Sequence, residues 1–212
     1  MVYIEEPIRT YIEDASSDKP APGGGSVAAL VGAAGLSMAC MSANFTVGKK
    51  KFKDVERQVN ELLGKCSVDR DELLNLMDLD VAAYTHVSNA YAMPRSTPEE
   101  KKARTAAIQD ALRIAMDAPL RSVRSCRGAL GRIAELVDVA NPNLISDVGV
   151  AAILTEAALR CAKINVEINL SYLKDETLVA ETRKEIEEAA EEARALSRGV
   201  VEKVAKAIGG TP

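Results

Sequence analysis

The chain has no tryptophan and a single histidine, His86, and its aromatic residues amount to 3% of 212. An interior this poor in large rings must be built from alanine, leucine, valine and isoleucine, and small side chains favour helices that approach closely. Zinc ligand sets are missing as well. The four cysteines, Cys40, Cys66, Cys126 and Cys161, form no C-x-x-C pair, and one histidine cannot complete a site, so no metal is expected. Nothing resembles the disulfide framework of a secreted domain. A basic excess is absent too. The 27 Lys and Arg are outnumbered by 31 Asp and Glu, for a net charge of −4, which excludes the electrostatic footprint of a nucleic-acid binder. The opening MVYIEEPIRTYIED is acidic and polar, unlike a signal peptide. The longest apolar run, Val27 to Ala43, is of marginal length for a membrane span and rich in Ala, Gly and Ser. These absences lead us to expect a cytoplasmic protein with neither membrane nor nucleic-acid partner.

Alternation of period two is also lacking, so no strand is expected. The 47% hydrophobic content follows helical spacing instead, and the fold class it implies is an all-α bundle of long, Ala-rich helices. With no internal repeat and no long linker, residues 1–212 read as a single domain. A short helix is expected over Pro7–Ser16, with proline in its first turn. A second should open at Ser26 as N-cap and run to about Ala43. Gly32 and Gly35 inside it cost about 1 kcal/mol each relative to alanine, which points to tight packing or ligand contact. An amphipathic segment follows from Asp54 to about Tyr91, with a break expected near Gly64–Asp69. Ser96 or Thr97 caps the next helix, with Pro98 in its first turn and Glu99 and Glu100 complementing the positive helix end. Pro119 is expected to kink it before a further helix ends near Val139. Ser146 or Asp147 caps a helix reaching Leu170, and a last helix covers Glu176–Ile208. Long helices of this composition suggest a homo-oligomer that buries one apolar face.

The segment KPAPGGGSVAAL, Lys19 to Leu30, is the most distinctive motif. Gly23, Gly25 and Ala28 fit G-x-G-x-x-[GA], but that fingerprint needs a preceding strand, and Lys-Pro-Ala-Pro cannot supply one. The phosphate-binding P-loop also fails, because Gly48-Lys49 is followed by Lys50. Two readings of the glycines remain open: a flexible turn, or a loop whose bare backbone lets a ligand approach. Asp78 and Asp80, in LMDLDVAAY, read from their residues alone as a solvated helix face.

The stretch PAPGGGSVAALVGAAGLSMACMSANFTVGKKKF resembles the signature of the cyclodeaminase/cyclohydrolase family of folate enzymes. LMDLDVAAYTHVSNAYAMPRSTPEEKKAR, DAPLRSVRSCR, NPNLISDVGVAAILTEAALR and NVEINL extend the resemblance over essentially the whole chain. It implies an all-helical enzyme acting on tetrahydrofolate derivatives, some polyglutamylated, as a homodimer and with no cofactor beyond the folate substrate. The activity it implies is formiminotetrahydrofolate cyclodeaminase, which releases ammonia and forms 5,10-methenyltetrahydrofolate. Methenyltetrahydrofolate cyclohydrolase, forming 10-formyltetrahydrofolate, is the alternative, and a non-catalytic folate-binding module a more distant one.

The resemblance carries the catalytic acid onto Asp80. Either reaction needs one proton acceptor and one donor, and a partly desolvated carboxylate with a raised pKa serves both. The substrate-binding residues implied are Gly23, Gly24, Gly25 and Ser26 beside the pterin, Asn44 on the pterin or amide, and Lys49 and Lys50 on the carboxylates of the glutamate tail. Asp147 is either a helix cap or an acceptor for pterin nitrogens. His86 lies six residues after Asp80, on another side of the helix, and reads as a surface or packing residue.

Overall fold

The computed structural model describes residues 2–209 and contains, among them, six α-helices and no strand. The chain runs through α1 (Ile8–Ala15), α2 (Gly24–Asn44), α3 (Glu56–Ala92), α4 (Pro98–Val139), α5 (Ile145–Leu170) and α6 (Glu176–Ala207), with 3-10 turns at Tyr3–Glu5, Lys50–Phe52 and Pro142–Leu144. The all-helical expectation is met.

Helix α2 lies between α5 and α3 and also touches α4. In turn, α4 packs on α3, α5 and α6. α2 and α5 run antiparallel: Gly24 at the start of α2 faces Asn165 late in α5, and Gly35 faces Leu154 and Thr155. At the far end the Ser42 hydroxyl donates to the carbonyl of Leu144. Small residues set this spacing. A Cβ on Gly35 would stand 2.9 Å from Thr155 Oγ1, and one on Gly32 would stand 3.0 Å from Leu73 Cδ1. Both glycines therefore serve helix packing, one of the two roles their cost suggested. Leu36, Leu73, Leu76, Leu130, Leu159 and Ile186 are fully buried in the single cluster that results. By length and composition α2 alone among the described helices could cross a membrane, yet most of it is buried against its neighbours.

Several local expectations are revised. Helix α2 begins two residues before Ser26, with Gly23 as its N-cap. α3 continues unbroken through Gly64–Asp69, because Leu62, Cys66 and Leu73 keep one apolar stripe in the core. Helix α4 likewise runs through Pro119 without ending. Its start is as expected: Thr97 and Glu100 form a reciprocal capping box, which satisfies two otherwise orphaned amides. Neither Ser146 nor Asp147 caps α5. Leu144 holds that position without a side-chain bond, and Asp147 stands in the first turn.

Candidate functional site

A pocket of about 290 Å³ opens where the start of α2, the middle of α3 and the end of α5 converge, with Ala115 of α4 also in its wall. Gly23, Gly24, Gly25 and Asp80 line it together with Tyr84, Asn165 and Asn169. The sequence motif and the acid it was paired with are thus neighbours.

The contact is closer than a shared cavity. A Cβ on Gly25 would lie 2.2 Å from Asp80 Oδ1, so only glycine leaves room for the carboxylate. Asp80 Oδ2 accepts a hydrogen bond from the Ser26 backbone amide at 2.9 Å. That amide belongs to the first turn of α2 and has no carbonyl within its own helix. None of the three loop glycines has a positive φ; among the described glycines Gly48 and Gly209 do. Gly25 and, less tightly, Gly24 are present for space rather than for an unusual backbone conformation, whereas a Cβ on Gly23 would meet nothing within 4 Å. The close approach Gly25 permits is that of the protein's own Asp80 carboxylate.

Burial pushes the Asp80 carboxyl above the usual carboxylate range, and the Ser26 amide opposes this only in part. The balance suits proton transfer, because a carboxylate that is too comfortable as an anion is a poor base. Ser26 is fully buried. Its hydroxyl pairs with the Tyr11 hydroxyl at 2.9 Å, so the residue expected to cap α2 with its side chain instead ties α2 to α1. Asp78 is no solvated side chain either. It accepts from the Tyr3 amide at 2.7 Å and, more weakly, from the Ile4 amide, fastening the N-terminal segment over α3.

The remaining proposed binding residues sit elsewhere. Asn44 ends α2 and Lys49 and Lys50 follow it, about 30 Å from Gly24 by the rise of a 21-residue helix. Asp147, in the first turn of α5, lies at that same far end. Within one chain these four residues do not share the Asp80 pocket. His86 is exposed and outside it. Sequence reasoning missed Tyr84, Val87, Asn165 and Asn169. The first two follow Asp80 at i+4 and i+7, a spacing that signals a common face. Asn165 and Asn169 are likewise four apart on one face of α5.

Fold and pocket together define an all-helical protein with one desolvated carboxylate at the mouth of a helix-end cavity, a class fitted to moving protons on a bound organic substrate. Comparison with known proteins narrows the class. The chain belongs to the family described as formiminotransferase-cyclodeaminase, whose pattern it matches over residues 7–188. It is 40% identical over 199 residues to a protein of Methylorubrum extorquens named methenyltetrahydrofolate cyclohydrolase, covering 94% of this chain and 96% of that one. It is 31% identical over 191 residues to the formimidoyltransferase-cyclodeaminase of Rattus norvegicus, covering 90% of this chain but only 35% of the longer protein. The crystal structure of formiminotetrahydrofolate cyclodeaminase from Thermotoga maritima superposes with a TM-score of 0.78 at 32% identity, covering 96% of each chain. The chain is therefore a member of a folate one-carbon enzyme family.

Proposed function

We propose that this protein is a methenyltetrahydrofolate cyclohydrolase with Asp80 as its proton-transfer group. The observation that carries the chemistry is the buried Asp80 carboxylate, held by the Ser26 amide against Gly25. What favours this activity is the 40% identity to a cyclohydrolase along nearly the full length of both chains, and it reverses the order of the two activities given above. Water adds to the electrophilic carbon bridging N5 and N10, and Asp80 takes one of its protons. The bond from carbon to N5 then breaks as the formyl carbonyl forms. One water proton ends on N5 and the other leaves to solvent, so a single carboxylate alternating between base and acid suffices.

The cyclodeaminase reading is supported by the Thermotoga maritima structure. There the same carboxylate would accept the proton of the attacking nitrogen and return it to departing ammonia. One spectrophotometric assay separates the two. Loss of methenyltetrahydrofolate absorbance faster than its spontaneous hydrolysis supports the cyclohydrolase. Its appearance from formiminotetrahydrofolate, with ammonia release, supports the cyclodeaminase. If the protein binds a reduced folate and turns over neither, it is a binding module.

The same proposal includes a cytoplasmic homodimer. Val27, Val31, Ala34, Met38, Met41 and Phe45 repeat along α2 at steps of four and three, and all are exposed or half-exposed. Val150, Leu154, Ala157, Cys161, Ile164 and Ile168 repeat along α5 with the same steps. A 3.5-residue apolar repeat on two adjacent antiparallel helices, free of charge, is what helix-on-helix association requires. A face some 27 Å long and two helices wide offers roughly 1,000 Å² of total burial or slightly more in a symmetric pair, enough for a specific interface. Antiparallel stacking of α2 on its copy about Ala34 would carry the Lys49–Lys50 turn of one copy to the glycine-loop end of the other. That arrangement gives the two lysines a route to the glutamate tail which one chain alone does not.

A further inference from the structure

Pro119 lies inside α4, and proline is the least favourable residue for a helix interior. It has no N–H to give to the carbonyl four residues earlier, and its ring crowds that carbonyl outward. The carbonyl released in this way belongs to Ala115, which lines the Asp80 pocket. The nearby Ser122 hydroxyl does not compensate for it, because it donates to Ala118. Across the cavity stand Asn165 and Asn169 of α5. Each gives a side-chain N–H to its own helix: Asn165 to the Cys161 carbonyl at 2.9 Å and Asn169 to the Asn165 carbonyl at 2.8 Å. These bonds hold the amides in place and leave both side-chain carbonyl oxygens as acceptors. Asparagine is also a poor residue for a helix interior. Two residues that local preference would keep out of helices therefore line this pocket, and a third, Pro119, acts one turn from its wall residue Ala115; such departures concentrate at functional sites.

We propose that the Ala115 carbonyl, freed by Pro119, and the side-chain carbonyls of Asn165 and Asn169 form an acceptor rim that binds the N–H-bearing edge of the substrate's pterin ring. The assignment rests on the folate reading above. A reduced pterin carries its amide N–H and exocyclic amino group on the edge remote from the one-carbon unit. Acceptors on α4 and α5 match those donors and leave Asp80 free for the carbon between N5 and N10.

Pro119→Ala is the sharpest test, because it restores an N–H beneath Ala115. The variant should melt at a higher temperature than the wild type while its KM for methenyltetrahydrofolate rises about tenfold, the size of one lost hydrogen bond. Asn165→Ala/Asn169→Ala should raise KM at least as much, with the effect falling on KM rather than on kcat. The wild type should also bind 2-desamino-tetrahydrofolate more weakly than tetrahydrofolate by calorimetry, and the double asparagine variant should have lost that discrimination. A Pro119→Ala protein that is stabilised and keeps the wild-type KM removes Ala115 from the rim. A double variant that still discriminates against the desamino ligand removes the asparagines. Should the wild type bind no reduced folate at all, the folate reading falls and the rim with it.

Discussion

Gly25→Ala adds one methyl group and is expected to abolish most of the activity while sparing the fold. The added Cβ would sit 2.2 Å from Asp80 Oδ1, 2.6 Å from Cγ and 2.8 Å from Oδ2. The carboxylate must retreat by about 1 Å to reach ordinary contact distance, and the 2.9 Å bond from the Ser26 amide stretches or breaks. Gly25 lies in the first turn of α2, where alanine gains up to about 1 kcal/mol of helix propensity. Turning Asp80 out of its rotamer costs a similar amount, about 0.5–1.5 kcal/mol. The two offset each other, so the melting temperature should move by only a few degrees. Misplacing a reacting group by about 1 Å costs on the order of 100-fold in rate, so kcat should fall by that factor. The assay is turnover of methenyltetrahydrofolate at saturating substrate, with thermal melts followed by circular dichroism. The neighbouring glycines are internal controls. A Cβ on Gly24 meets Asn165 at 3.3 Å and one on Gly23 meets nothing within 4 Å. Gly24→Ala should therefore raise KM modestly and Gly23→Ala should be nearly silent. A Gly25→Ala enzyme with wild-type kcat, or three variants equally impaired, would refute the reasoning.

Asp80→Asn should reduce turnover of methenyltetrahydrofolate by at least 100-fold, and turnover of both folate substrates unchanged from wild type would remove Asp80 from catalysis. Its carboxyl binds a proton more readily folded than unfolded, so its penalty on stability is absent at low pH and appears as pH rises through the folded value. Denaturant titrations should accordingly find Asp80→Asn more stable than wild type near neutrality, with the difference vanishing below the ordinary carboxylate range. Activity of the wild type should fall as pH drops through that same raised pKa. Thr97→Ala breaks the capping box of α4 and should cost about 1 kcal/mol, readable as a shifted urea midpoint with kcat untouched. Val150→Glu with Ile164→Glu places charge on exposed positions of the α5 stripe and should convert a dimer to a monomer by light scattering. An unchanged mass would locate the interface elsewhere.

The fold was legible because no segment alternates with period two, α4 and α6 carry a clear helical period, and Thr97-Pro98-x-Glu100 announces one helix start outright. Errors arose where two local signals competed. Ser26 looks like a cap because serine before an apolar run usually is one, yet three small residues before it let the helix begin earlier, and its buried hydroxyl found Tyr11 instead. Pro119 looks like a kink or a stop, but Leu120, Val123 and Cys126 beyond it are buried in the same core as Met116 before it, and tertiary packing carries the helix through. Gly64 likewise looks like a break but lies on an open surface while its neighbours keep the stripe.

The site divided along similar lines. Gly25 and Asp80 stand 55 positions apart in the chain, and no local rule links them; only the resemblance to a known family did. The physical reason for their pairing is the missing Cβ. A helix start can come within hydrogen-bond reach of a carboxylate on another helix only where no side chain intervenes, and the price of burying that carboxylate is partly offset by the Ser26 amide. The lysine turn illustrates the opposite limit. Proximity in sequence to the glycine helix suggested a shared site, but a straight helix of 21 residues separates its two ends by about 30 Å. A motif that spans a whole helix therefore marks two places in one chain, and only a second copy packed antiparallel can make them one.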